Sequence, residues 1–172
     1  MKDEADGTQS PATGPTPVHD KGAHPDTFRV TVTLEQGYQF RVDPGMDGAE
    51  GFLIDEPPPL GKGAGPNPAR VLASAMASCL GASFLFCLRK AQVEVTSLKV
   101  IADGHMVRDA KKRLRVGGID IRLEPVFADP VQGRVERCQS IFEDFCVVTE
   151  SVRHGIPVAV AVTPSTPSPA GA

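Results

Sequence analysis

The chain has 172 residues and a formal charge of −3, with no tryptophan, one tyrosine and eight phenylalanines. That length supports one domain with a mostly aliphatic core and needs no disulfide or metal staple. That charge, with no dominant basic field, argues against a dedicated nucleic-acid binder. The N-terminus, MKDEADGTQSPATG, lacks the apolar run of a secretory signal. No stretch is read as approaching the roughly eighteen apolar residues of a membrane span, so a soluble, cytoplasmic protein is expected. In a reducing compartment its four cysteines are expected to be free, catalytic or redox-active rather than structural.

Residues 1–26 are rich in Pro, Gly, Thr, Asp and Lys and read as a disordered tail. His19 and His24, with Asp20 and Asp26, fit no zinc spacing. Residues 164–172 read as a second tail, which leaves 27–163 as the folded domain. Residues 27–35 and 38–43 alternate apolar and polar side chains around Gln36-Gly37, the pattern of a β-hairpin. A short strand over 51–56 is stopped by Pro57–Pro59, and a Gly- and Pro-rich linker leads to a central helix within 65–90. Asn67 suits the cap of that helix and Pro68 its first position. Leu72, Met76, Cys79, Ser83 and Phe86 fall at spacings of three and four, so they are expected to form its core-facing stripe. A cysteine on such a stripe is commonly just a small hydrophobe.

Residues 93–107 and 113–127 read as two long strands pairing antiparallel. Arg108, Lys111, Lys112 and Arg113 lie between them as a solvated tip. Asp129-Pro130 opens a helix over 131–145 with Val135, Cys138, Phe142 and Phe145 on one face. A short helix follows Cys146 and stops at Gly155, and 156–162 reads as a closing strand. This order predicts an α+β domain with a largely antiparallel sheet. No phosphate-binding glycine loop and no four-ligand metal spacing is visible, so neither a nucleotide nor a metal is expected.

Cys79 and Cys87 are eight residues apart, as are Cys138 and Cys146. Eight residues of helix rise about 12 Å, too far for a disulfide, whose Cα atoms lie within about 7 Å. Any disulfide must therefore join the central helix to the later segment. Cys79 is also too deep in its helix for that helix's own N-terminus to acidify it, because the dipole acts over the first turn. A separate Arg or Lys is expected to do so, whereas Cys146 directly precedes a helix.

GPNPARVLASAMASCL, with a second cysteine in FCVVTESVRHGIPVAVAV 67 positions after Cys79, resembles the OsmC/Ohr family of osmotically inducible and organic hydroperoxide resistance proteins. The resemblance covers roughly residues 28–163. It implies an OsmC-like α+β fold with a long central helix, in which two chains intertwine into a homodimer with active sites at the subunit interface. It also implies that Cys79 attacks an organic hydroperoxide and that Cys146 closes a disulfide onto it. An external dithiol, commonly a lipoyl group, then reduces that disulfide, and no bound cofactor takes part. Catalytic members typically carry a glutamate directly after the Asn-Pro pair, where this chain has Ala69, and an arginine in the preceding loop, where this chain has none. Arg41, Lys62 and Arg70 are the candidate thiolate-activating cations, and Asp55 and Glu56 the candidate carboxylates. Two functions follow: a thiol peroxidase acting on organic hydroperoxides, or a non-enzymatic OsmC-like module binding an apolar small molecule at the dimer interface.

Overall fold

A computed structural model describes residues 27–130 and 133–164. The two expected tails, 1–26 and the segment from 165 onward, lie outside the described residues. The first sheet has the order β1 (Thr31–Gln36), β2 (Gln39–Asp43) and β3 (Phe52–Ile54), with both pairings antiparallel. Its register sets Val32 opposite Val42, Leu34 opposite Phe40, and Phe40 and Val42 opposite Ile54 and Phe52. Side chains alternate across a strand, so these apolar residues share one face. Among the described residues no helix packs extensively against that sheet, and Val32, Leu34 and Phe52 remain exposed.

The helix α1 (Pro68–Lys90) begins as its cap chemistry predicts, with the Asn67 side chain accepting from the Arg70 amide at 3.0 Å. It packs on β4 (Val95–Arg108), which pairs with β5 (Leu114–Phe127) as a long antiparallel ribbon. Gly81 allows the close approach: a Cβ there would lie 3.1 Å from Cγ2 of Val100. The chain then forms α2 (Arg134–Ile141), a 3-10 turn (Phe142–Phe145) and α3 (Val147–His154), all against α1. The core contains Leu80, Phe84, Leu88, Val93, Cys138, Phe142 and Cys146. Phe84 and Phe142 meet edge to face with ring centroids 5.1 Å apart, fixing the 3-10 turn on α1.

Four sequence expectations are corrected. The buried stripe of α1 is Met76, Ala77, Leu80, Gly81, Phe84 and Leu88, not the one through Leu72, Cys79 and Phe86; Leu72 and Phe86 are exposed and Cys79 lies at the edge. Almost every position of this helix is apolar or small, so periodicity alone points to no single face. For the same reason α1 is, by length and composition, able to cross a membrane: it has 23 residues and a mean hydropathy of 2.0 over its most apolar window, 28% of which is buried. Ser74, Ser78, Gly81 and Ser83 interrupt its apolar run without adding charge. The expected 131–145 helix tightens to 3-10 geometry at Phe142, which turns Phe145 out to solvent. Finally, 156–162 forms no strand; Ile156, Val158, Val160 and Val162 are exposed and have no ladder partner among the described residues.

Candidate thiol site

Cys79 and Cys146 are free thiols, and the core brings them together. Cys79 sits near the middle of α1, half-buried; Cys146 is fully buried at the cap position of α3. The 3-10 turn delivers Cys146 there, its amide donating to the Glu143 carbonyl at 2.9 Å while its carbonyl accepts from the Glu150 amide at 3.0 Å. Behind it, Arg153 ties the turn to α3 by ion pairs with Glu143 and Glu150.

Cys79 packs against the core cluster that contains Cys146, the two thiols act on each other's ionisation, and the N-terminus of α3 serves both. Burial pushes the Cys146 thiol up, but this is outweighed by the Thr149 hydroxyl, by Cys79, and by the amides of Thr149 and Val148, which hold it below the ordinary thiol value. Thr149 is itself buried, with Oγ1 3.1 Å from Cys146 Sγ. For Cys79 the balance runs the other way. Burial raises its pKa and the neighbouring Cys146 raises it further, outweighing the Val148 and Val147 amides. As protons are removed the charge settles first on Cys146, while Cys79 keeps its proton. The site can therefore hold one thiolate and one thiol side by side, the composition from which a disulfide can form.

None of the three candidate cations is among the groups acting on the Cys79 thiol. Arg41, on β2, pairs instead with Glu35 at 2.6 Å. Lys62, in the loop before α1, lines a separate cavity of about 320 Å³ with Gln36, Tyr38 and Asp55. Arg70 is in the first turn of α1, nine residues before Cys79 and so about 13 Å from it along the axis. The candidate carboxylate Asp55 is occupied elsewhere. It is buried and accepts from the amides of Lys62 and Ala64, both at 3.0 Å, and its pKa is lowered chiefly by the Ala64 bond. Gly61 makes room for it, since a Cβ there would stand 2.3 Å from Asp55 Oδ1. Asp55 thus shapes the loop that delivers Asn67 and Pro68.

Sequence reasoning missed Thr149 and the amides of Val147 and Val148; a cysteine directly before a helix with threonine at the third position was the available signal. It also expected all four cysteines to be free, catalytic or redox-active and did not pair the other two. Cys87 and Cys138 form a disulfide joining α1 to α2, with Cα atoms 5.6 Å apart. Among the described residues, no group of three or more metal-ligating side chains occurs.

The fold has relatives among solved structures. An OsmC-like protein of unknown function from Vibrio cholerae is 20% identical with a TM-score of 0.63, over 73% of this chain and 93% of that one. An organic hydroperoxide resistance protein from Legionella pneumophila is 15% identical with a TM-score of 0.57, over 76% and 92% of the two chains. Another, from Bacillus subtilis, is 18% identical with a TM-score of 0.53, over 76% and 93%. No curated protein sequence matches the chain significantly. The family model described as OsmC-like protein matches residues 61–161, more than half of the sequence and including both free cysteines, and the chain therefore belongs to the OsmC-like family.

Proposed function

We propose that the chain is a cysteine-based peroxidase that reduces organic hydroperoxides through Cys79 and Cys146. The observation that carries this reading is the pair of free thiols, 67 residues apart in sequence, that the core brings together at the N-terminus of α3. The hydroperoxide resistance proteins among the structural relatives support it. Cys79 is the attacking sulfur, because Cys146 is sealed from solvent and Cys79 is not. The Cys146 thiolate takes the Cys79 proton as Cys79 attacks the terminal peroxide oxygen. The O–O bond breaks, and the alkoxide leaves and picks up a proton from water to become the alcohol. Cys79 is then a sulfenic acid. Cys146 attacks its sulfur, hydroxide leaves with the Cys146 proton as water, and the Cys79–Cys146 disulfide remains. An external dithiol, of the lipoyl type, returns both thiols by exchange.

The reading includes a homodimer. The apolar face of the first sheet and the unpaired, alternating 156–162 segment suit pairing with a second copy. That assembly is also the route by which Arg41 or Lys62 of one protomer reaches the other's Cys79. The test is mass mapping of the reduced protein after one equivalent of cumene hydroperoxide. A Cys79–Cys146 disulfide is expected, and Cys79→Ser abolishes dithiol-dependent turnover; unmodified thiols, or equal turnover by the variant, overturn the proposal.

A second reading is favoured by the raised pKa of the Cys79 thiol and by an open groove of about 540 Å³ between α1 and β4. Ala77, Leu85, Leu98 and Val100 line it with Ser74 and Ser78. In this reading the module binds an apolar small molecule at the dimer interface, and Cys79, which is not among the groove's lining residues, is a packed hydrophobe. Rapid alkylation of Cys79 at neutral pH would exclude it.

A further inference from the structure

We propose that Cys87–Cys138 is a second thiol–disulfide exchange site, whose partner is an anionic low-molecular-weight thiol. The disulfide forms part of the wall of a cavity of about 570 Å³ between the end of α1 and α2. Lys90, Arg134 and Arg137 line the same cavity, and no acidic residue does. The three cations flank both sulfurs: Lys90 lies three residues after Cys87, and Arg134 and Arg137 lie four and one before Cys138. Among the described residues none of the three forms an ion pair; Lys90 rests over the Phe86 ring, 4.6 Å from its centroid. In a chain of net charge −3, this is a local concentration of positive charge.

The two sulfurs differ in access. Both sulfurs belong to the cavity wall, but Cys138 is buried whereas Cys87 is only partly buried. An incoming thiolate therefore reaches Cys87. It forms a bond to the Cys87 sulfur as the Cys87–Cys138 bond breaks, and Cys138 leaves with the electron pair and takes a proton from water. A second thiolate attacks the small molecule's sulfur in the mixed disulfide and expels Cys87 as a thiolate. The protein disulfide gains two electrons, and two small thiols become one small disulfide. A carboxylate or sulfonate on the small thiol gives the three cations something to hold; a neutral thiol gives them nothing.

The experiment uses the wild-type protein and follows the Cys87–Cys138 peptide pair by mass mapping, which separates it from Cys79–Cys146. The probes are 2-mercaptoethanesulfonate, 2-mercaptoethanol and cysteamine, compared as rates per thiolate at low salt. The anionic thiol is expected to react about tenfold faster than the cationic one, with the neutral thiol between, and the ordering should shrink as salt is raised. Arg134→Gln with Arg137→Gln should compress the ordering, and Cys138→Ser, whose Cys87 is a free thiol, should form the mixed disulfide by the reverse exchange when given the symmetric disulfide of 2-mercaptoethanesulfonate, releasing one 2-mercaptoethanesulfonate. Equal rates for the three probes, an unchanged ordering in the arginine variant, or a disulfide that opens only on unfolding overturns the proposal. Because Cys79 and Cys146 play no part in this readout, its failure leaves the peroxidase reading intact, and the converse also holds.

Discussion

Replacing Thr149 with valine tests the account of the thiol pair most directly. The hydroxyl lies 3.1 Å from Cys146 Sγ in a fully enclosed position, so water cannot substitute for it. Valine keeps the branched shape and removes only the donor. A hydrogen bond to a charged group contributes about 1.5–3 kcal/mol, and diffuse sulfur belongs at the low end. Losing about 1.5 kcal/mol lowers the Cys146 thiolate population at neutral pH roughly tenfold. The amides of Thr149 and Val148 stay in place, so the effect is partial. The assay is the ultraviolet absorbance of the thiolate, titrated with Cys79 and Cys146 reduced and Cys87–Cys138 intact. The first thiol to ionise should do so at higher pH in the variant, while Thr149→Ser, which keeps the hydroxyl, should match wild type. Stability carries the same signature. The folded Cys146 loses its proton below the ordinary thiol value, so stability rises with pH from that lowered value up to the ordinary one. Cys79 is held above the ordinary value, so its contribution is lost as pH rises from the ordinary value through the raised one. Thr149→Val should flatten the rising limb. A titration curve identical to wild type would refute the assignment of Thr149 as a thiolate donor.

Asp55→Asn should remove an acid-side loss of stability. The Asp55 pKa is lowered by the Ala64 and Lys62 amides, so its contribution is present above the unfolded value and lost as pH falls through the folded one; urea midpoints of the variant should vary less with pH in the acid range, and an undiminished slope counts against the loop-anchor role. Val158→Lys with Val160→Lys tests the docking of the exposed C-terminal segment. Burying two valines is worth about 3 kcal/mol, so a dimer that covers them should weaken at least a hundredfold by sedimentation or light scattering, whereas an unchanged association state means this segment is not in the interface.

What could be read from the sequence was what local chemistry decides. Asn67-Pro68 announced the start of α1 because a cap and a first-turn proline act within a few residues. The β4 and β5 strands followed from alternation, and the stop at Gly155 from its left-handed φ of 76°. What escaped depends on packing. On a helix as apolar as α1 the buried face is chosen by β4 and the 3-10 turn, so the stripe through Cys79 was misplaced by about a third of a turn. Helical rise ruled out the two local cysteine pairs, yet it could not say that Cys87 meets Cys138, since that follows from how α2 lies along α1. The 156–162 alternation is real, but a strand needs a neighbour, and the described residues provide none.

The same uncovered surfaces bear on the chemistry. The first sheet leaves Val32, Leu34 and Phe52 exposed, and the helix leaves Leu72 and Phe86 outside. Covering both with a second copy removes apolar area from water and offers the only proposed route for a cation to reach Cys79, whose thiol within one protomer is set by burial and by Cys146 alone against two amides. Dimerisation and acidification of Cys79 should therefore go together. The alkylation rate of Cys79 at neutral pH should rise with protein concentration through the dimer transition, by about tenfold if a cation comes to within hydrogen-bonding distance. A rate independent of concentration, in a protein that does dimerise, would mean that no cation reaches the sulfur and would give precedence to the binding-module reading.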